Sequence, residues 1–298
     1  MEIMKGAYAI QDSEVTKDLQ GFVAKTDTWN GFFNATGQTG FEEKFVAKMR
    51  EWVSGSAENT LTGLENFQYG TMTHGTSEAF QMFMMRHTDR NFRFFKGDFM
   101  MHKVASNIMG NKWKWIHDAN EITVGDAVII SIPFSDFGTA HPQHTKLLEK
   151  CSALNVPVLI DCAYFGMCYD INIDLNYKCI EEVTFSLGKT FPVIGSRCGV
   201  RYQREDVDDA VKFANQHGIV NTFGALIGLH CIEQYSADFI TTKYRAVQQR
   251  VCDDLGIDAT NCILFATSGD NKYSDYNRGN DTTRLCLSKL LQEEYDRK

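Results

Sequence analysis

Two short stretches concentrate the residue types that do chemistry: VPVLIDCAYFG at 156–166 and VTFSLGKTFPVIGSRCGV at 183–200. Between them they supply an acid (Asp161), a phenol (Tyr164), a hydroxyl (Ser186), an amine (Lys189) and a guanidinium (Arg197). Each stretch opens on apolar residues that read as a buried strand. In an open α/β sheet, ligands sit at the carboxyl ends of the strands, which is where these five groups fall.

Lys189 admits three readings. Gly188-Lys189-Thr190 could close a phosphate-binding P-loop, but that motif needs a glycine five residues ahead of Gly188, and Val183 stands there. Ser186-x-x-Lys189 suits a serine hydrolase of the penicillin-binding kind, which should also carry Lys-Thr-Gly, whereas Lys189-Thr190 runs on to Phe191. The third reading is a Schiff-base lysine at the end of a buried strand. With a hydroxyl and a guanidinium for a phosphate and an upstream carboxylate for a ring nitrogen, the set meets the demands of pyridoxal phosphate, and this reading is preferred.

At this point the chain resembles the fold-type I, aspartate-aminotransferase-like family (class I/II aminotransferases) of pyridoxal-phosphate enzymes. That family's pattern is Asp-x-Ala-Tyr, then a strand ending in Ser-x-x-Lys, then Gly-x-Arg-x-Gly. Here it reads Asp161-Cys162-Ala163-Tyr164, Ser186-Leu187-Gly188-Lys189 and Gly195-Ser196-Arg197-Cys198-Gly199, with the family's eight-residue step from Lys189 to Arg197. The resemblance implies that Lys189 holds the cofactor aldehyde as an imine and shuttles the substrate α-proton. It implies that Asp161 pairs with the protonated ring nitrogen, that Tyr164 hydrogen-bonds the ring hydroxyl, and that Ser186 and Arg197 hold the phosphate. A pyridinium needs a fixed anion to remain an electron sink, and a phosphate suits a two-pronged guanidinium beside a hydroxyl.

Weaker correspondences follow. MTHGTSEAF resembles the family's phosphate turn at a helix N-terminus, which adds Gly75, Thr76 and Ser77. KGDFMMH resembles the segment whose ring stacks on the cofactor, making Phe99 the candidate with Gly97 in place of the usual proline. In ISIPFSDFGTAHP the family has Asn-Pro-x-Gly, so Ser135 stands for the asparagine that bonds the ring hydroxyl, and Asp136, in place of proline, would repel the cofactor's phenolate. DTTRLCLS resembles the strand whose arginine grips the substrate α-carboxylate, which nominates Arg284.

The resemblance implies an aminotransferase moving an amino group between an amino acid and a 2-oxo acid. A lyase, decarboxylase or racemase of the same fold, or a degenerate cofactor-binding module, stays open, because a fold does not fix which Cα bond breaks. A homodimer is implied by the family alone. The tyrosine that reaches a neighbouring subunit's phosphate in many relatives has no counterpart, its region being occupied by Gly37-Gln38-Thr39-Gly40.

The elements that must position these groups are legible in part. At 298 residues the chain suits about two domains. Strands are expected at 92–95, 113–116, 127–133, 157–163, 183–187 and 198–202, and helices at 40–53, 76–86, 100–109 and 143–154. This alternation indicates a large α/β domain with a mainly parallel sheet over 36–206, preceded by an N-terminal arm over 1–35. Helices at 207–216, 224–235 and 237–255, strands at 262–266 and 284–287 and a last helix indicate a smaller α+β domain over 207–298. The resemblance makes this an unusually short member of its family.

Composition narrows the classes. A net charge of −8 leaves no global positive field for nucleic acid or an anionic membrane. No apolar run approaches the ~20 residues that span a bilayer, and the start of the chain lacks a basic, apolar leader, so a cytoplasmic location is expected. Nine cysteines without a Cys-x-x-Cys pair read as reduced core filler rather than a disulfide framework or a metal site. His141 and His144 read as a solvated helix start, and Trp113 with Trp115 as one face of a core strand.

Overall fold

A computed structural model describes residues 3–25, 27–30, 41–278 and 282–297. Residues 37–40 therefore lie outside the described residues, as does part of the expected arm. The centre is a seven-stranded sheet. Its strands are β2 (Tyr69–Thr73), β3 (Asn91–Phe95), β4 (Trp113–Ile116), β5 (Asp126–Ser131), β6 (Val158–Cys162), β8 (Ile180–Ser186) and β9 (Gly199–Gln203), in spatial order β2-β9-β8-β6-β5-β3-β4. Only β9 runs against its neighbours, β2 and β8; the other pairings are parallel. Every residue of β5 and β6 is buried, which explains their apolar runs Ala127–Ile130 and Val158–Ile160: a parallel strand covered on both faces has no solvent side to show.

Helices cover the sheet. In α3 (Thr76–Arg86), Thr76, Ala79, Phe80, Phe83 and Met84 are buried, a stripe at helical spacing that packs beneath β6, β8 and β9. α4 (Met100–Met109) follows β3 and α5 (His144–Leu154) follows β5. α2 (Phe41–Ser54) packs on β2 and on α7 (Thr222–Gln234). α6 (Ala210–Gln216) starts later than its periodicity suggests because Asp209 caps it, accepting from the Val211 and Lys212 amides at 3.1 and 3.0 Å. Two short strands, β1 (Thr60–Thr62) and β7 (Asn172–Asp174), pair in parallel outside the main sheet.

The C-terminal sheet is antiparallel, in the order β10 (Asp258–Ala259), β11 (Phe265–Ser268), β12 (Thr283–Cys286), flanked by α8 (Phe239–Leu255) and α9 (Ser288–Asp296). The strand expected at 262–266 is displaced toward the C-terminus. Gln248 donates to the carbonyls of Thr260, Cys262 and Phe265 at 3.1, 3.1 and 2.9 Å, folding 260–264 into a turn before β11 begins. β2, unread in the sequence, is a strand because β9 pairs with it; its own YGTMT carries little signal.

The N-terminal stretch expected as an arm contains α1 (Ser13–Val23) and is tied to the C-terminal part. Met4 exchanges both backbone hydrogen bonds with Cys286, at 3.1 and 3.2 Å, beside β12. Asp12 is buried where α1 meets α8: it caps α1 by accepting from the Val15 amide at 3.0 Å, and accepts from the Tyr244 hydroxyl at 2.7 Å and the Lys243 ammonium at 2.8 Å. All nine cysteines are unpaired and buried. His141 is not solvated: it stacks on Phe95 with centroids 3.8 Å apart, and burial lowers its pKa to about 4. Trp113 and Trp115 are half-buried beside Phe94. Among the described residues, no helix is long and apolar enough to cross a membrane.

Burial would raise the Asp12 carboxyl, but Lys243, the Val15 amide and Tyr244 outweigh it and hold its pKa below the ordinary 3.8. A depressed acid stabilises the fold above its unfolded pKa, and that contribution fades as pH falls through the folded value. Asp12→Ala removes the cap of α1 and leaves Lys243 with Glu14, at 2.9 Å, as its remaining acidic partner, and should cost about 1–3 kcal/mol in urea unfolding at neutral pH. The gap between variant and parent should close below pH 3.8, and a gap that is constant with pH would show that the carboxylate charge plays no part.

Candidate active site

The parallel strands end on one edge of the sheet, and β9, running the other way, begins there. The loops that leave this edge carry His74 to Ser77 after β2, Asp98 and Phe99 after β3, Ala163 and Tyr164 after β6, Gly188 and Lys189 after β8, and Arg197 before β9. Nine of the eleven residues singled out from the sequence line one cleft here: Gly75, Thr76, Ser77, Phe99, Asp161, Tyr164, Ser186, Lys189 and Arg197. Ser135 and Arg284 stand beside it.

At one end is a cup. Gly75 adopts φ +79°, and a Cβ there would lie 3.3 Å from Arg197 Nη2 and 3.6 Å from Ser186 Oγ, so the glycine leaves open the space those donors face. Arg197 takes a left-handed backbone (φ +48°) and donates from Nη2 to the His74 carbonyl at 2.8 Å. The Asn221 amide holds the preceding Ser196 carbonyl while its own oxygen caps α7 through the Gly224 amide at 2.9 Å. Ser186 Oγ accepts from the Gly188 amide at 3.3 Å. The Ser77 and Ser186 hydroxyls, the Arg197 guanidinium and the N-terminus of α3 thus line a space suited to a phosphate.

In the middle, Asp161 is 2% exposed. Its Oδ1 accepts from the Ala163 amide at 3.0 Å and its Oδ2 from the Thr76 hydroxyl at 3.3 Å. His102 Nε2 lies 3.5 Å from the same Oδ2. His102 is fully buried, edge-on to Phe80 and Phe99, and neither ring nitrogen makes a hydrogen bond among the described residues. The sequence reading missed it. The signal was Phe99-x-x-His102 at the start of α4, which puts the two rings one helical turn apart on the same side.

Lys189 is half-buried, and Nζ donates to the Ala7 carbonyl at 2.6 Å. Burial lowers its pKa, with Arg284 and Arg197 adding to the effect against Cys286 and Asp161. The amine is thereby brought nearer its neutral, nucleophilic form. Burial pushes the Tyr164 hydroxyl up to about 12 against the pull of Arg284 and Arg278, so it remains a donor near neutral pH.

Ser135 does not line the cleft. Its carbonyl accepts from Arg284 Nη1 at 2.6 Å, and its Oγ lies 3.4 Å from the Nη1 atoms of both Arg278 and Arg284. Asp136, expected to oppose a phenolate, is instead paired with Arg278 at 3.1 Å. Arg284 is 5% exposed on β12, with its guanidinium 4.2 Å above the Phe265 ring.

The family profile "Aminotransferase class I and II" matches residues 6–253. The chain belongs to the class I and II aminotransferases. Similar solved structures include a probable N-succinyldiaminopimelate aminotransferase from Thermus thermophilus, 11% identical, with a TM-score of 0.72 over 100% of this chain and 93% of that one. The histidinol-phosphate aminotransferase from Clostridium acetobutylicum is 12% identical, with a TM-score of 0.63 over 98% and 99%. The L-threonine-O-3-phosphate decarboxylase from Porphyromonas gingivalis is 13% identical, with a TM-score of 0.67 over 98% of each chain. At these identities the likeness is one of fold. No curated protein sequence matches the chain.

Membership in the aminotransferases implies pyridoxal phosphate, and the cleft fits it. The space left by Gly75 suits a phosphate, and the buried Asp161 carboxylate, backed by His102, is placed to meet a cation. Arg197→Ala in this aminotransferase should weaken retention of pyridoxal phosphate roughly 10- to 100-fold, the equivalent of the about 1.5–3 kcal/mol carried by a charged hydrogen bond. Pyridoxal, which lacks the phosphate, should bind parent and variant alike in a fluorescence titration. Equal losses for both compounds would make Arg197 a purely structural residue.

Proposed function

We propose that the protein transfers an amino group between an amino acid and a 2-oxo acid, using pyridoxal phosphate held by Lys189. The observation that carries this reading is the convergence of Lys189, Asp161 and Tyr164 in one cleft with the Gly75–Ser186–Arg197 cup at its end. Bound there, the cofactor supplies an electron sink for the charge left at the substrate Cα. The rest falls to the protein. Lys189 Nζ would hold the aldehyde carbon and, once released, take the α-proton and return it. Asp161, fixed by Thr76 and the Ala163 amide, would hold a proton on the ring nitrogen. The Tyr164 hydroxyl would donate to the ring oxygen, Phe99 would lie against the ring, and Arg284 would orient the substrate through its carboxylate. Because a decarboxylase shares the fold, the test must identify which bond breaks.

The loaded enzyme should be yellow, bleach with an active amino acid and regain its colour with a 2-oxo acid. Bleaching that is accompanied by carbon dioxide release and not reversed by a 2-oxo acid would replace transamination with decarboxylation. Lys189→Ala should fold and keep some cofactor non-covalently, with turnover reduced by about 10²–10⁴-fold or more. Substantial turnover in that variant would remove Lys189 from its role. Asp161→Asn keeps size and hydrogen-bonding atoms but removes the anion. It should therefore bleach far more slowly in a single turnover while loading cofactor normally, and an unchanged rate would mean that Asp161 does not face the ring nitrogen.

A further inference from the structure

Two charged side chains beside the cleft have no part in that reading. Asp136, 1% exposed, lies in the loop after β5, and Arg278 precedes β12. They meet at 3.1 Å. Arg278 Nη1 and Arg284 Nη1 both approach one atom, Ser135 Oγ, at 3.4 Å each, so the two guanidinium groups converge on a single point. Arg284 is fixed from several sides. Nη1 donates to the Ser135 carbonyl at 2.6 Å, Nη2 to the Lys5 carbonyl at 3.4 Å, and the plane lies over Phe265. Its Nε is buried and makes no hydrogen bond among the described residues, so this fork has a donor to spare.

Two like charges drawn together, one buried and the other 22% exposed, repel unless an anion joins them. Asp136 is one such anion, and it neutralises one of the two guanidinium groups. Asp98 adds a second carboxylate within electrostatic reach of Arg278, yet Arg284 Nε still has no acceptor among the described residues, and a substrate carboxylate has the planar, two-oxygen shape that guanidinium groups grip. We propose that Arg278 is a second carboxylate-holding residue beside Arg284, with Asp136 as the built-in counter-ion that orients Arg278 and keeps the empty site from carrying two unpaired cations. The proposal rests on Arg284 being the substrate's carboxylate clamp. It also accounts for an aspartate at a position where the family resemblance leads one to expect proline: the residue pairs with Arg278.

The test is binding of butyrate and its neutral isostere butyramide to the pyridoxal-phosphate-loaded enzyme, followed by calorimetry, so that no turnover is required. The parent should prefer butyrate. Arg278→Gln should weaken butyrate about tenfold or more and leave butyramide within about twofold, because only the charged, bidentate contact is lost. Arg278→Lys keeps the charge without the fork and should fall between. Asp136→Asn keeps the side chain's size while deleting the negative charge that pairs with Arg278, so butyrate should bind about threefold to tenfold more tightly with butyramide unchanged. With an active amino donor, Arg278→Gln should raise KM more than it lowers kcat. The proposal is overturned if the parent shows no preference for butyrate, if Arg278→Gln binds butyrate like the parent or loses both ligands equally, or if Asp136→Asn weakens butyrate. Failure of every amino acid to bleach the enzyme would count against the aminotransferase reading, and the butyrate-to-butyramide ratio would still decide the role of Arg278.

Discussion

The site depends on a close approach of two backbones. Gly199, at the start of β9, lies so near the turn after β2 that a Cβ would come within 2.6 Å of the Phe185 carbonyl and 2.8 Å of Gly75 Cα. That proximity sets the loop with Arg197 directly against the N-terminus of α3, and it requires β9 to run against β2 and β8. Were β9 parallel, its start would lie at the far edge, and no arginine preceding it could reach the helix. The antiparallel strand in an otherwise parallel sheet is therefore what closes the phosphate cup, and a glycine on each side is its steric condition.

A second set of contacts makes the buried acid tenable. An isolated carboxylate in the interior is expensive, yet Asp161 receives an amide from its own loop and a hydroxyl from α3, with a histidine from α4 alongside. Three different crossover connections thus meet at one carboxylate. Such an acid is held in place before any ligand arrives, so the reorganisation that a flexible side chain would need on meeting a cation is avoided. Lys189 is treated differently. Its amine rests on a carbonyl of the N-terminal stretch, and that stretch is in turn anchored at Met4 and Asp12 to the C-terminal elements. The reactive amine is therefore in contact with a segment distant in sequence and joined to the sheet that carries Arg284.

The same C-terminal sheet brings the substrate-side groups in from across the chain. Arg284 and Arg278 flank a loop after β5 that is 149 and 143 residues away in sequence, and Ser135 is the residue on which they close. The cofactor-side groups belong to the large sheet alone, whereas the carboxylate-side groups exist only where the two sheets meet. On the proposed function, this would separate residues that hold a cofactor from residues that orient a substrate.

Motif spacing nominated the residues of the site. Asp161 and Ser186 lie at the ends of β6 and β8, and Tyr164 and Lys189 follow within three residues, so local geometry alone delivers these four to one edge of a parallel sheet, whereas Arg197 precedes β9 and reaches that edge only because β9 runs antiparallel. The buried strands and amphipathic helices were legible for the same reason, their periodicity being imposed by neighbours a few residues away. Other features had no local signature. β2 is a strand because β9 pairs with it, β11 starts late because Gln248 from α8 ties the preceding turn, and His102 matters because α4 carries it to Asp161. Asp136 shows the limit most clearly. The sequence placed a charge beside an expected phenolate, and the fold gave that charge a partner 142 residues further along the chain at Arg278. A charge's consequence depends on what lies within a few ångströms of it, and contacts between residues so far apart in sequence are fixed only when the elements pack.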